Sequence, residues 1–95
     1  MPFAKQDPRV FTRQNVETLR PSQFGVYGLF SQGEWIYVGK GDIRQRLLDH
    51  LNGDNRCMSL HRPTHWVDEV ITGDPSAKEQ QLILELQPIC NQRVG

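Results

Sequence analysis

The chain has 95 residues, of which 37% are hydrophobic and 23% are charged, and its 11 Lys and Arg residues balance its 11 Asp and Glu residues. This length supports one folded domain, and the composition is typical of soluble globular domains rather than disordered or fibrous chains. No apolar run approaches the roughly 20 residues that a membrane-spanning helix needs. Residues 1–8 also lack the apolar stretch of a secretory signal. We therefore expect a cytoplasmic protein without a membrane partner.

Charge is unevenly distributed although the total is zero. Residues 40–62 carry five Lys or Arg against three Asp or Glu, whereas residues 63–87 carry one against five. The balanced total argues against a strongly basic nucleic-acid-binding tail. The basic segment can provide a side of the molecule that accepts phosphate, and an ordinary solvated surface is the alternative.

Two cysteines, Cys57 and Cys90, are too few for the disulfide framework of small secreted domains, so both are expected to be reduced. Cys57, His61 and His65 are spaced four residues apart and suggest zinc ligands. However, Pro63 interrupts the helix that would align them, and a structural zinc site needs a fourth ligand. The pattern therefore disfavours zinc.

The first half of the chain predicts a short helix and a β-hairpin. The helix covers residues 12–19 and ends before Pro21, because proline moves its predecessor out of the helical region. Residues 25–30 and 34–39 are rich in β-branched and aromatic residues and flank a short polar segment. This pattern predicts two antiparallel strands.

The length of the hairpin loop decides where two tyrosines point. A two-residue turn would pair Tyr27 with Val38 and place Tyr27 and Tyr37 on opposite faces. A three-residue loop with Gly33 in the left-handed conformation would pair Tyr27 with Tyr37. Glycine at the third loop position favours this second arrangement, which places both phenols side by side.

The second half of the chain predicts a helix, a strand and a second helix. A capping box opens the first helix over residues 42–52, and the glycine that follows can end it. After a loop, residues 64–71 predict the third strand. Asp74 as N-cap and Pro75 at the first helical position open the last helix, which continues to about Leu86. This order predicts a small antiparallel sheet with helices packed on it.

Basic side chains border the apolar face of the helix over residues 42–52. Arg46 and His50 are one turn apart at the edge of the apolar stripe, so both can converge on one phosphate. Arg44 projects nearer the middle of the stripe, in the first turn, where it can bend toward solvent. A solvated helix edge is the alternative interpretation.

Glu79 occupies a position where the last helix is expected to be apolar. Leu82, Ile83 and Leu86 follow it at helical spacing, so the carboxylate completes the core-facing stripe. A buried carboxylate must be neutralised, meet a cation or bind a metal. Magnesium suits a single carboxylate, because it keeps most of its waters and binds beside a substrate phosphate. A salt-bridged or snorkelling glutamate is the alternative.

Two motifs and the residues that follow them resemble the GIY-YIG nucleases. The motifs stand here as Gly25-Val26-Tyr27 and Tyr37-Val38-Gly39, with ten residues from tyrosine to tyrosine. The positions that follow in the family's order are Lys40, Arg46, His50, Glu79 and Asn91. The chain is similar in this respect to the catalytic domain in the incision subunit of bacterial nucleotide excision repair.

The resemblance implies an α+β fold in which a three-stranded antiparallel sheet is flanked by helices. It implies a nuclease domain over residues 25–95 and an N-terminal extension, containing the short helix, over residues 1–24. The interval from Lys40 to Arg46 is one residue shorter than the family pattern, so Arg44 is the alternative catalytic arginine. The one-turn relation to His50, which the family shares, favours Arg46.

The activity that the resemblance implies is metal-dependent hydrolysis of DNA. Tyr27 would accept a proton from the attacking water, with Lys40 as the cation that lowers the pKa of this phenol. Tyr37 would orient the water or a phosphate oxygen. Arg46 would stabilise charge on the phosphate, with His50 forming a hydrogen bond nearby.

The remaining implied residues bind metal and nucleic acid. Glu79 would hold Mg²⁺ or Mn²⁺, and Asn91 would position substrate or tie the chain end to the site. Lys40, Arg44 and Arg46 would contact the DNA. Specificity would be loose, directed by DNA structure, derived from a homodimer or supplied by a separate subunit, and RNA is an alternative substrate. A catalytically silent nucleic-acid-binding module and a protein-interaction domain on the same fold are the other interpretations.

Overall fold

An antiparallel sheet with helices on both faces forms the structure, a computed structural model that describes residues 3–91. The elements in chain order are β1 Arg9–Val10, α1 Arg13–Val16, β2 Phe24–Ser31, β3 Glu34–Asp42, α2 Ile43–Leu51, α3 Arg56–His61, β4 His65–Val70, α4 Ser76–Leu86 and a 3₁₀-helix Ile89–Asn91. The strand order is β1-β4-β2-β3, so β3 is an edge strand. No helix among residues 3–91 is long and apolar enough to cross a bilayer.

Among residues 3–91 the sheet has four strands rather than the three that were predicted. The additional strand, β1, is two residues long and pairs Arg9 with Trp66 and Val10 with His65. Two residues are too few to show the alternation by which a strand is detected in a sequence. The α+β architecture is otherwise as predicted.

A two-residue turn, not the predicted three-residue loop, closes the hairpin between β2 and β3. Ser31 pairs with Glu34 across this turn. The two turn residues, Gln32 and Gly33, both have positive φ (20° and 74°), which is the requirement of a type I′ turn. The register that was expected from a three-residue loop is therefore wrong.

A β-bulge nevertheless places the two phenols on the same face. Ile36 is an extra residue in β3, so the register shifts and Leu29 pairs with Tyr37. Tyr27 then pairs with Gly39 and lies diagonally across from Tyr37. The predicted direct pair of Tyr27 with Tyr37 does not form. The two-residue turn alone would place these side chains on opposite faces, and the one-residue bulge returns them to the same face.

Helix α2 begins and ends as predicted. The Asp42 side chain accepts a hydrogen bond from the backbone N–H of Gln45, with an Oδ1–N distance of 3.3 Å. Gly53 follows the helix with a φ of 86°, in the left-handed region that favours glycine. Asp42 therefore sets the start of α2, and Gly53 sets the point where the chain turns after the helix.

Two helix starts differ from the predictions. The segment predicted as a loop contains α3, whose N-cap Asn55 accepts a hydrogen bond from Met58 N at 3.2 Å. Helix α4 begins at Ser76, one residue later than predicted, so Pro75 is the cap rather than the first helical residue. Asp74 Oδ1 accepts from Ser76 N at 2.9 Å.

Two apolar clusters lie on opposite faces of the sheet. Successive residues of β2 alternate between them, so Val26 belongs to one cluster and Tyr27 to the other. The cluster beneath α1, α2 and α3 contains Val16, Tyr27, Leu29, Ile36, Ile43, Leu47, Met58 and Trp66. The cluster beneath α4 contains Phe3, Val26, Val38, Val67 and Leu82. Val16 in the first cluster and Phe3 in the second precede Gly25, so the segment before the first motif contributes to both clusters.

A disulfide joins Cys57 to Cys90, contrary to the expectation that both thiols are reduced. It connects α3 to the final 3₁₀-helix across a sequence separation of 33 residues, with Cα atoms 5.6 Å apart. His61 lies close to the two sulfur atoms, but His65 instead stacks on Phe30. The zinc set suggested by the sequence is therefore not assembled, and the sulfurs are bonded to each other.

Candidate active site

Two tyrosines and a histidine form the centre of the candidate site. The ring centroids of Tyr27 and Tyr37 are 6.3 Å apart, and the His50 ring lies 5.5 Å from the first and 5.2 Å from the second. Tyr27 is fully buried and His50 is nearly so, whereas Tyr37 is half-buried. Strands β2 and β3 present the phenols, and the last turn of α2 presents the imidazole.

A chain of two hydrogen bonds links Tyr27, His50 and Asp54. Tyr27 Oη lies 2.7 Å from His50 Nε2, and His50 Nδ1 lies 2.7 Å from Asp54 Oδ1. Asp54 was not among the residues predicted for the site. The signal that points to it is its spacing of four residues from His50, but it lies beyond the helix, where that spacing holds only because Gly53 turns the chain back.

Burial sets the protonation states of the two buried rings. It raises the pKa of Tyr27 above the ordinary value of 10.0, and the neighbouring Tyr37 acts in the same direction while the Arg46 guanidinium opposes both. Burial also lowers the pKa of His50 below 6.5, although its hydrogen bond to Asp54 acts to raise it. At neutral pH the site therefore contains a protonated phenol and a neutral imidazole.

Arg46 is the arginine that lies beside the phenols, where its charge acts on both of them. Its guanidinium pairs with Asp49 at 3.2 Å and with Asp54 at 3.6 Å. Its side chain is 38% exposed, and those of the two acids are about one-third exposed. Between the two alternatives from the sequence, Arg46 rather than Arg44 has the position expected for the site.

Lys40 is directed away from Tyr27, contrary to the prediction that it is the cation beside this phenol. It shares a strand face with Val38, on the side of α4. Its ammonium donates a hydrogen bond to Ser76 Oγ at 2.6 Å. Arg46 takes the place predicted for Lys40, because strand alternation puts Lys40 on the opposite face.

Glu79 is half-buried on α4, near the edge strand β3. Burial raises the pKa of its carboxyl above 4.5, and the charge of Lys40 acts in the opposite direction. Burial also raises the pKa of Tyr37, with Arg46 opposing this rise and Glu79 adding to it. Within residues 3–91, no side chain or backbone group forms a hydrogen bond or ion pair with the Glu79 carboxylate. An unpaired acid thus lies within electrostatic range of Tyr37.

Asn91 satisfies the free edge of β3 beside the site. Its Oδ1 accepts from Val38 N at 2.7 Å, and its Nδ2 donates to Val38 O at 3.0 Å. The amide thereby forms the two bonds that a neighbouring strand would form. Of the two roles predicted for Asn91, these bonds serve the attachment of the final segment to the site.

Close packing requires a glycine at the start of the first motif, Gly25, and at the end of the second motif, Gly39. A Cβ atom at Gly25 would overlap backbone atoms of β4, namely Glu69 O and Val70 Cα. A Cβ atom at Gly39 would overlap the Tyr27 hydroxyl and the Tyr37 ring. The second glycine therefore makes the space in which the two phenols lie.

Solved structures of one nuclease domain share this architecture. The GIY-YIG N-terminal endonuclease domain of UvrC from Thermotoga maritima, in a variant with one tyrosine changed to phenylalanine, aligns with a TM-score of 0.72 at 26% identity, covering 85% of this chain and 94% of that one. This chain has the GIY-YIG nuclease fold. The same domain bound to magnesium, described as its catalytic divalent cation, aligns with a TM-score of 0.70 at 22% identity, covering 85% of this chain and 100% of that one. Comparisons with protein-family models and with curated protein sequences gave no match.

In this GIY-YIG fold the candidate residues meet around the edge of β3. On one face of the sheet, Tyr27 and Tyr37 lie against Arg46 and His50 of α2. On the other face, Lys40 lies against α4, the helix that carries Glu79, and Asn91 bonds to the edge of β3. An edge strand allows this arrangement, because side chains on its two faces can approach one another around it. The Glu79 carboxylate thus acts electrostatically on Tyr37 from the other side of the edge strand.

Proposed function

We propose that this protein is a divalent-metal-dependent endonuclease that hydrolyses DNA phosphodiester bonds. The observation that carries the proposal is the Glu79 carboxylate, which has no hydrogen-bond or ion-pair partner among residues 3–91 and lies within electrostatic range of Tyr37, a phenol on which the charge of Arg46 also acts. The similar UvrC domain is described as an endonuclease and as bound to its catalytic divalent cation, which supports the same activity here.

The Glu79 carboxylate fits a magnesium or manganese ion. It is an oxygen donor without a protein partner among residues 3–91, and Mg²⁺ binds through one or two carboxylates together with waters and substrate phosphate. Glu79 would hold the ion. When bound, such an ion polarises the phosphate and stabilises charge on the leaving oxygen.

Arg46 is the group that meets the phosphate. Exposed ion pairs contribute little, so the partly exposed contacts of Arg46 with Asp49 and Asp54 can give way to a phosphate. Bidentate contact with the phosphate then stabilises the charge that develops during the reaction. Tyr27 accepts a proton from the attacking water while Tyr37 orients that water. Lys40 and Arg44 add DNA-backbone contacts, and Asn91 holds β3 in place.

The proposal is tested by nicking of supercoiled plasmid with purified protein in Mg²⁺ or Mn²⁺. We expect nicking that a chelator abolishes, and a loss of about 100-fold or more in Tyr27→Phe and Glu79→Gln. Arg46→Ala should lose much more activity than Arg44→Ala. Glu85→Gln is the matched control, because Glu85 is an exposed glutamate on the same helix.

Two results would contradict this function. Equal activity in Glu79→Gln and wild type would remove the metal-binding role of that carboxylate. Salt-sensitive DNA binding by the wild type without cleavage would instead indicate a binding module. A panel of single-stranded, duplex, flap and branched DNA, with an RNA duplex beside it, would define the substrate.

A further inference from the structure

We propose that Asp54 is a positioning residue for this reaction: it holds His50 in the tautomer whose Nε2 takes the hydroxyl proton of Tyr27. The inference rests on the proposed nuclease function and adds a residue that neither the sequence motifs nor the resemblance includes. It is carried by the two consecutive 2.7 Å contacts from Tyr27 to His50 and from His50 to Asp54.

The hydrogen-bond chain is buried at one end and anchored at the other. Tyr27 has 0% exposure and the His50 side chain 1%, so both ring nitrogens depend on protein partners. The Asp54 side chain is 34% exposed, and its backbone N–H donates to Asp49 O at 3.3 Å. The turn at Gly53 and this backbone bond hold the carboxylate over the end of α2.

The partners of the two nitrogens determine the tautomer of His50. An ionised carboxylate can only accept hydrogen bonds, so His50 Nδ1 carries the proton that is donated to Asp54. A neutral imidazole has one N–H, which leaves Nε2 as an acceptor. Tyr27 must therefore donate its hydroxyl proton to Nε2.

This arrangement solves a difficulty in the use of Tyr27 as a base. A buried phenol whose pKa is raised does not ionise near neutral pH, so it can accept a proton only as it gives one up. As the water oxygen bonds to phosphorus and the bond from phosphorus to the 3′ oxygen breaks, one water proton moves to Tyr27 Oη. The original hydroxyl proton moves to His50 Nε2, and the leaving oxygen is protonated from solvent.

The imidazolium that results faces the Asp54 carboxylate, which stabilises it until the proton is released to solvent. The other charged or titratable groups that face His50 are Tyr27 on β2, Tyr37 on β3, Arg46 and Asp49 on α2, and Arg62, which lines the cavity beside the ring. Within residues 3–91, Asp54 is the group that hydrogen-bonds to Nδ1. Arg46 acts against the imidazolium, so Asp54 offsets it.

The first test reads the tautomer without any nuclease activity. Long-range ¹H–¹⁵N NMR of the histidine rings, at a pH where His50 is neutral and with His50→Gln to assign its signals, should show protonated Nδ1 and unprotonated Nε2. Asp54→Ala should lose this preference. Asp49→Asn is the matched control, because Asp49 also pairs with Arg46 but does not bond the ring, and it should keep the wild-type tautomer.

The second test is the pH dependence of plasmid cleavage by Asp54→Asn. Because Asp54 acts to raise the pKa of His50, its neutralisation should move the acid limb of the kcat profile to lower pH. The plateau should fall at least about tenfold with KM unchanged, since the imidazolium is less stabilised. A variant that is only structurally impaired would have a lower maximal kcat, but the acid limb of its pH profile would stay at the wild-type pH.

An Nε2-protonated His50 in the wild type would overturn the proposal, and so would an Asp54→Asn enzyme with an unmoved acid limb. A wild-type protein that cleaves nothing would refute the proposed function instead, while the NMR result would still decide the tautomer. The two failures are therefore distinguishable.

Discussion

The ionised Glu79 carboxylate lowers the free energy of unfolding of the protein. Its carboxyl has a raised pKa because burial disfavours the charged form, and Lys40 compensates only in part. A group whose pKa is higher in the folded state contributes its stability fully below the unfolded value, near 4.5, and loses it as pH rises through the folded value. At neutral pH the ionised carboxylate therefore destabilises the protein.

We predict that Glu79→Gln is more stable than the wild type at pH 7, although it should lose activity. The gain is modest because the group is partly solvated, and it should shrink to nothing as the pH falls below the ordinary pKa of glutamate. Urea denaturation of both proteins between pH 3 and 8 measures it, with Glu85→Gln as the control. An equal or lower stability of Glu79→Gln at pH 7 would show that the carboxylate is not desolvated.

At the scale of elements, the final 3₁₀-helix stabilises β3 through one side chain. Asn91 satisfies both backbone groups of Val38, so its loss leaves an N–H and a C=O of the edge strand without partners. Because Val38 lies between Tyr37 and Gly39, this attachment also holds the strand segment that carries the second motif.

Asn91→Ala should therefore lower the free energy of unfolding by about 1–3 kcal/mol. Amide hydrogen exchange at Val38 should become faster in this variant. Asn91→Asp is the informative comparison, because it keeps an acceptor for the Val38 N–H and replaces the donor to the Val38 carbonyl with a repelling oxygen. If exchange at Val38 were unchanged in Asn91→Ala, the side chain would not secure the edge.

Sequence patterns predicted the elements that have strong local signals. The capping residue Asp42 and the following Gly53 defined α2, and the spacing of apolar residues after Glu79 placed that carboxylate on a partly buried face. The same local signals could not decide the hairpin register, because a glycine at position 33 suits a two-residue and a three-residue turn equally. The deciding residue was Ile36, whose burial in the core accompanies the bulge.

Other features depend on tertiary structure that no local pattern records. Asp54 reaches His50 only after the chain has turned at Gly53. Lys40 was assigned to Tyr27 from proximity in the sequence, whereas alternation along β3 separates their side chains. Gly39 was predicted as part of a motif, but its physical reason, room for the Tyr27 hydroxyl, becomes visible only when the two strands are paired.

At the scale of the whole molecule, the Cys57–Cys90 disulfide joins distant parts of a small domain. It closes a segment of the chain between residues separated by 33 positions. Cross-links of this kind stabilise mainly by limiting the freedom of the unfolded chain. A domain of this size has a small core, so this contribution is a large fraction of its total stability.

We predict that reduction of this bond, or Cys57→Ser, lowers the free energy of unfolding by about 3–4 kcal/mol. Urea denaturation with and without a thiol reductant measures the difference. Cys57→Ser should be insensitive to the reductant, which makes it the control for effects elsewhere. A wild-type midpoint that does not move on full reduction would contradict a stabilising role for the bond.

The bonds between Asn91 and Val38 also oppose aggregation of the protein through its edge strand. An exposed outer strand is a template on which a second chain can add by backbone pairing, the first step of aggregation. Here the amide side chain of Asn91 fills the central pairing position on the exposed edge of β3. Backbone pairing of a second chain at Val38 is thus blocked, on the same strand that carries Tyr37.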